Sequence, residues 1–108
     1  MPGKESDVEN KVLVSLVVAP SVEDALADWL LECEDVKGFS SLRINGHGAS
    51  THSMTLAEQV AGRRAQVLFQ IAMEREEAVR LMEGVKRDFA GSGVHFWLAP
   101  LLDAGHLE

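Results

Sequence analysis

The pattern of apolar and polar positions predicts an alternation of strands and helices. Residues 11–19 are β-branched and almost uniformly apolar, which is typical of a central strand buried on both faces. A helix follows, with Ser21 as its predicted N-cap and acidic residues in its first turn. Its apolar stripe continues at helical spacing to Cys33, and Lys37 and Gly38 form a stop signal.

Two further strands and a long connection come next. Residues 39–47 alternate weakly and predict a strand with Leu42 and Ile44 on one face. Residues 65–73 predict a third strand that carries apolar side chains at alternate positions. The intervening residues 48–64 have no sustained apolar period until the third strand begins, and a connection of this length is usually a functional or a disordered loop.

The last part of the chain repeats the order of the first. Residues 74–89 predict a second helix, whose apolar stripe lies opposite a strongly charged face. Gly91 and Gly93 end this helix, and residues 94–99 predict the fourth strand. The order strand, helix, strand thus occurs twice. It predicts an α+β, ferredoxin-like βαββαβ fold, with a four-stranded antiparallel sheet and both helices on one face.

The second face of this sheet has no predicted cover. It would carry Leu68, Trp97 and alternate residues of the first strand. This is more apolar surface than a soluble monomer normally exposes. Association of several copies through this face is the simplest way to bury it.

The length of 108 residues fits a single domain. We expect residues 1–10 to be a flexible tail, residues 11–102 to form the domain, and residues 103–108 to form a C-terminal tail. The final Leu107-Glu108 resembles a cloning scar.

Composition restricts the location and the partners. The N-terminus lacks the apolar segment of a signal peptide, and no apolar run reaches the roughly 18–20 residues that span a bilayer. Together with the single cysteine, this favours a cytoplasmic protein without direct membrane insertion. The net charge is −7 and the ten Lys and Arg residues are scattered, so nucleic-acid binding is not expected.

The first group of candidate functional residues is a possible metal site formed by His47, His52 and Met54. Imidazole and thioether ligands suit a transition metal ion such as Cu, Zn, Co or Ag. Their spacing is not an established ligand signature, and the site would need help from Cys33, His95 or a neighbouring subunit. The alternative is that the histidines are exposed loop residues that bind no metal.

A second group could bind a small ligand or anion. Gly46 and Gly48 allow close backbone approach at the exit of the second strand, and Arg43, Arg63 and Arg64 offer guanidinium groups for phosphate or carboxylate. The alternatives are a simple bend at the glycines and ion pairs from the arginines to Glu58 or to the second helix.

The sequence gives no indication of an enzyme. It contains no nucleophile paired with a base and no pair of converging carboxylates. Phosphate-loop, CxxC and HExxH motifs are also missing from the sequence.

The whole pattern from residue 11 to about residue 102 resembles the PII-like superfamily, which includes nitrogen-regulatory PII and CutA-type proteins. The most specific portion is Arg43-Ile44-Asn45-Gly46-His47-Gly48, followed by the long loop. More narrowly, GHGASTHSMTLAEQVAGRRAQVLFQI resembles PII-like proteins often encoded beside heavy-metal efflux systems of the resistance-nodulation-division class. The resemblance implies a homotrimer whose sheets face a shared interior, with a ligand cleft between subunits near the exit of the second strand.

Two departures from that superfamily limit what the resemblance implies. The turn at residues 90–95 has no Lys or Arg, unlike the basic turn that holds phosphates in nucleotide-binding PII proteins. The chain also has no tyrosine, so control by tyrosyl nucleotidylation is excluded.

We therefore expect a non-enzymatic, trimeric regulatory module linked to heavy-metal efflux or homeostasis. Its loop at residues 48–64 would reorder when a metal, a membrane efflux protein or another regulatory target engages it. The alternative is a PII-type signalling protein that binds a nucleotide or a small anion.

Overall fold

The computed structural model describes residues 10–48 and 63–108. Within these ranges the chain forms four strands and two α-helices, and a single turn of 3₁₀ helix, Pro20–Val22, precedes the first α-helix. The elements are β1 (Lys11–Val18), α1 (Glu23–Glu32), β2 (Ser40–Gly46), β3 (Arg64–Glu74), α2 (Arg75–Asp88) and β4 (His95–Pro100).

The four strands form one sheet in the order β2-β3-β1-β4, and every neighbouring pair is antiparallel. Two sequence-adjacent strands, β2 and β3, pair directly, whereas β1 lies between β3 and β4 at the centre. This is the topology of two interleaved strand–helix–strand units. The predicted α+β, ferredoxin-like βαββαβ fold is confirmed.

The hydrophobic core lies between one face of the sheet and both helices. Alternate residues of the two central strands point into it, so the period of two along β1 and β3 separates core residues from those of the opposite face. The helices contribute the apolar stripes predicted from the sequence. The buried cluster comprises Val12, Val14, Leu16, Val18, Leu26, Leu30, Val67, Phe69, Ile71, Met73, Ala78, Leu81, Met82 and Val85.

The limits of the first helix differ from the prediction. Ser21 makes no capping hydrogen bond; it lies inside the 3₁₀ turn that Pro20 begins. The helix ends at Glu32, five residues before Lys37, because Cys33 already has extended backbone. Val36 and Phe39 pack against the core from non-helical chain, so burial of these apolar side chains does not require another helical turn.

The two helices are joined by a close contact at Trp29. A Cβ atom at Gly84 would lie 2.8 Å from Cζ2 of Trp29, so only glycine lets the indole approach α2 this closely. The indole Nε1 donates a hydrogen bond to Oδ2 of Asp88 at 2.9 Å, and its ring meets Phe89 edge to face with centroids 5.7 Å apart. Trp29 therefore links the two helices through close packing and a hydrogen bond.

Candidate functional site

The sheet face turned away from the helices carries large apolar side chains that are exposed, among them Leu42 and Trp97. Residues paired across antiparallel strands share a face, and the register places Trp97 beside Ser15 and Leu42 beside Leu68 on this side. Trp97 is 50% exposed, as expected of a large side chain that nothing covers. We call this surface the open face; it consists of Leu42, Ile44, Gln66, Leu68, Gln70, Leu13, Ser15, Val17, His95, Trp97 and Ala99.

A polar group lies at the centre of the open face. Ser15 is on the central strand β1, between Gln70 and Trp97 in the register, and is only 1% exposed. Within the described residues its hydroxyl has no hydrogen-bond partner. A buried hydroxyl without a partner costs about 1–3 kcal/mol. The middle of the open face thus combines apolar surface with an unsatisfied polar atom.

The base of the long connection brings most of the predicted ligand-binding residues to one end of the sheet. Gly46, the last residue of β2, lies directly opposite Arg64, the first residue of β3. His47 and Gly48 follow Gly46 and are exposed, as is Arg63 immediately before β3. Five predicted residues therefore lie at the same end of the sheet: Gly46, His47, Gly48, Arg63 and Arg64. Their role in binding a ligand stays a prediction.

Gly46 lies against the side chain of Gln66. The side chain of Gln66 occupies the space that a Cβ atom at Gly46 would fill. The contact is with the carboxamide end of a flexible side chain that can move aside, so it does not by itself require glycine at this position. By contrast, a Cβ at Gly48 would meet nothing within 4 Å.

Arg43 lies apart from the open face. Its register partner is the core residue Val67, so its side chain lies on the helix side of β2. Its Nη2 forms an ion pair with Oε1 of Glu23, the first residue of α1, at 3.3 Å. For Arg43, the alternative to anion binding is an ion pair with Glu58 or with the second helix. Arg43 does form an ion pair, but its partner Glu23 lies on the first helix. An ion pair this exposed contributes about 0–1 kcal/mol.

The predicted metal site can be traced only in part. His52 and Met54 lie outside the described residues. His95 is on β4, three strand spacings or roughly 14 Å from β2, so it cannot join His47 at a metal within one copy. Cys33 precedes the seven-residue strand β2, whereas His47 follows its last residue, Gly46, so the length of β2 separates Cys33 from His47. Among the described residues there is no group of three or more His, Cys, Asp or Glu side chains placed to hold a metal.

Cys33 is in an environment that suppresses thiol reactivity. Its Sγ donates to the backbone oxygen of Trp29 at 3.3 Å. Burial raises the pKa of the Cys33 thiol, and the carboxylates of Asp35, Glu32 and Asp88 raise it further. A thiol with a raised pKa is a poor nucleophile near neutral pH.

We expect iodoacetamide to alkylate Cys33 more slowly in the native protein at pH 8 than in the denatured chain, because less thiolate is present in the native state. The difference should narrow as the pH rises above the native pKa. Mass spectrometry of timed samples measures both rates. A native rate equal to or faster than the denatured rate would contradict this description of the thiol.

A groove between α2 and β4 was missed by sequence reasoning. It has a volume of about 510 Å³ and lies where α2 ends and β4 begins. Gly91 and Gly93, both with positive φ (81° and 77°), form the turn at its end. The apolar stripe of α2 was predicted from the sequence. The groove also depends on how α2 packs against β4, which the pattern of apolar and polar residues does not determine. The lining residues are Met82, Val85, Lys86, Phe89, Ala90, Gly91, Gly93, Val94 and Phe96.

The described helices include none that is long and apolar enough to cross a bilayer.

The fold, with its open sheet face and a long connection between β2 and β3, is ferredoxin-like and is similar to the fold of PII-like proteins. CPII, a nitrogen regulatory PII-like protein from Thiomonas intermedia K12 whose structure contains ADP, AMP and bicarbonate, is 18% identical to this chain. It aligns with a TM-score of 0.66 over 91% of this chain and 96% of its own. At this identity the similarity establishes the fold, and the predicted PII-like resemblance is confirmed at that level.

The chain belongs to the DUF3240 family, whose members are described as proteins of unknown function; the family profile matches residues 8–108. A crystal structure of a DUF3240 family protein from Shewanella baltica OS155 is 21% identical. It aligns with a TM-score of 0.75 over 92% of this chain and 98% of its own. A search of curated proteins finds no significant match.

Proposed function

We propose that this protein is a non-enzymatic PII-like regulatory module that acts in the cytoplasm as a homotrimer. In this proposal it serves heavy-metal efflux or homeostasis, and the connection at residues 48–64 engages the metal and a membrane efflux protein or another regulatory target. The observation that carries the proposal is the open face, because a surface of this kind requires a partner and lies on the same sheet as the base of that connection.

Assembly is supported by the composition of the open face. Its central residues are apolar or neutral, with a half-exposed tryptophan at one side. Aromatic residues are enriched in the cores of interfaces, whereas charged residues are depleted there. A closed ring of three copies would bury the same surface in each chain and leave no copy unpaired.

The metal component of the proposal depends on His47. This residue is exposed at the point where β2 passes into the long connection, with His52 and Met54 close in sequence. Because His95 and Cys33 of the same copy lie elsewhere, further ligands would have to come from the connection or from a neighbouring copy. Imidazole and thioether ligands favour Cu, Zn, Co or Ag.

The alternative function is binding of a nucleotide or a small anion at the same end of the sheet. It is supported by Arg63 and Arg64, which lie beside Gly46 and Gly48, and by the ADP, AMP and bicarbonate bound to CPII from Thiomonas intermedia. Arg43 supports it less, because it is paired with Glu23.

Native mass spectrometry of the untagged protein, with and without added ligand, tests both proposals. We expect the mass of three chains, and a further mass increment with Zn(II), Co(II), Cu(I) or Ag(I). His47→Ala should weaken metal binding at least about tenfold, in line with the loss of a ligand or its support. His106→Ala, in the C-terminal tail, is the matched control and should bind normally.

The other outcomes separate the proposals. Binding of ADP or AMP but no metal, lost in Arg63→Ala and Arg64→Ala, would favour the nucleotide function. A single chain at high concentration would overturn the regulatory assembly.

A further inference from the structure

We propose that His47 of one copy and His95 of the next copy in the ring bind one transition metal ion between them. The inference rests on the assembly and the metal-linked role proposed above, and it names the ligand that the neighbouring copy supplies. Each contact between neighbouring copies would then hold one metal site.

The sheet has two different edges, and a closed ring brings them together. The order β2-β3-β1-β4 leaves β2 and β4 each with one side unpaired within a copy. Neighbours in a ring meet through two different surfaces, so the β2 edge of one copy meets the β4 edge of the next. Because β2 is parallel to β1 and β4 is antiparallel to it, the two edge strands run in opposite directions. They can therefore meet as antiparallel neighbours. We call this contact between the β2 edge and the β4 edge the seam.

The strand register gives the offset between the two histidines. His95 lies opposite Val17 in β1, and Val17 lies opposite Leu68 in β3. Leu42 completes this row in β2, opposite Leu68. His47 follows Leu42 by five positions, so it lies five residues beyond the row that contains His95. A seam that joins the two histidines must compensate this offset.

The tilt of the strands in a closed ring supplies the compensation. Strands that close into a barrel tilt by about 35–45°, which shifts a row by about four to six residues across four strands. Right-handed crossovers and right-handed strand twist set the direction of this shift. Seen from the helix side with β1 pointing upward, β2 lies to the right of β4, and the row descends to the right. A residue of β2 thus meets a residue of the next β4 about four to six positions lower, which brings His47 beside His95.

The two histidines have the exposure and the chemistry that a metal site at the seam requires. His95 is exposed on the open face, and His47 is exposed just beyond the end of β2, where strand alternation no longer assigns it to one face. Imidazole binds Zn(II), Cu(II) and Ni(II), and water can complete the coordination. Arg64 lies on the β3 side of β2, so the strand separates it from the seam. The neighbouring copy thus offers His47 a second imidazole.

Calorimetric titration of the untagged protein with Zn(II) tests the site. We expect His47→Ala and His95→Ala each to weaken Zn(II) binding at least about tenfold, because each removes one of two protein ligands. His106→Ala, in the C-terminal tail, is the matched control and should bind normally. Native mass spectrometry checks that each variant keeps its three chains. If His95→Ala alters the assembly, His95→Gln takes its place, since it keeps a polar side chain of similar size.

Mixed rings show whether the two ligands come from different copies. Co-expression of the His47→Ala and His95→Ala chains in equal amounts gives rings in which the intact His47 of one chain can meet the intact His95 of the other. Random assembly of trimers should restore Zn(II) binding at about a quarter of all seams. The two variants, purified separately and mixed without exchange of chains, should restore none.

The contrary outcomes separate this inference from the proposed function. A trimeric His95→Ala protein that binds Zn(II) normally, while His47→Ala does not, would overturn the inference and leave the proposed function standing. Mixed rings without restored sites would also overturn it, because the ligands would not be shared across the seam. A trimer that binds no Zn(II) would overturn the inference together with the metal component of the proposed function. A single chain would remove the assembly as well.

Discussion

A Trp97→Glu variant is expected to be monomeric at concentrations where the unmodified protein is assembled. Trp97 lies on β4 next to Ser15 and presents half of its surface on the open face. Removing a tryptophan that is buried in an interface typically costs about 2–4 kcal/mol, a roughly 30- to 1,000-fold weaker association. Glutamate adds the cost of bringing a charge from each copy into an apolar contact.

Sedimentation analysis over a range of concentrations measures this effect. Leu42→Glu changes the other edge of the same face and should act in the same direction. Leu31→Glu is the matched control, because Leu31 is an exposed leucine on α1, on the opposite side of the sheet. If Trp97→Glu and Leu42→Glu both remain folded and keep the assembled mass, the open face is not the contact between copies.

The second large effect is expected for Phe69→Ala, which should lower the free energy of unfolding by about 3–5 kcal/mol. Phe69 lies on β3, is fully buried in the core, and stacks at a tilt on Phe39 with ring centroids 5.8 Å apart. Alanine would remove the ring and leave a cavity between the sheet and the helices. For a domain of this size the melting temperature should fall by more than about 12 °C.

Urea denaturation followed by circular dichroism measures the change, at equal protein concentrations because assembly also stabilises the fold. Val79→Ala, on the exposed side of α2, is the control and should change stability by no more than about 0.5 kcal/mol. A Phe69→Ala variant as stable as this control would show that the core is not centred on β3.

The fold was predictable because the alternation of apolar and polar residues along each strand shows which side chains face the core. The alternation in β3 places Val67, Phe69 and Ile71 in the core, and that in β2 separates Leu42 and Ile44 from Arg43. The limits of α1 were not predictable in the same way. Its apolar stripe continues to Cys33, but whether Val36 is buried from a helix or from extended chain depends on the path to β2.

The candidate site was predictable to the extent that it follows from strand pairing. A connection between two neighbouring antiparallel strands starts and ends at the same end of the sheet. This brings Gly46, the last residue of β2, opposite Arg64, the first residue of β3. The partner of Arg43 could not be predicted, since Glu23 approaches it only when α1 lies across the sheet. The groove beside Phe96 was missed for the same reason, because it arises from the position of α2 relative to β4.

The two tryptophans of the chain lie on opposite sides of the sheet. Trp29 is fixed between the helices by Gly84 and Asp88, so its emission reports on the integrity of the folded helix layer. Trp97 faces outward, where its surroundings change when another molecule arrives. Intrinsic fluorescence of this protein thus contains separate optical signals for unfolding and for association, and neither requires an attached dye.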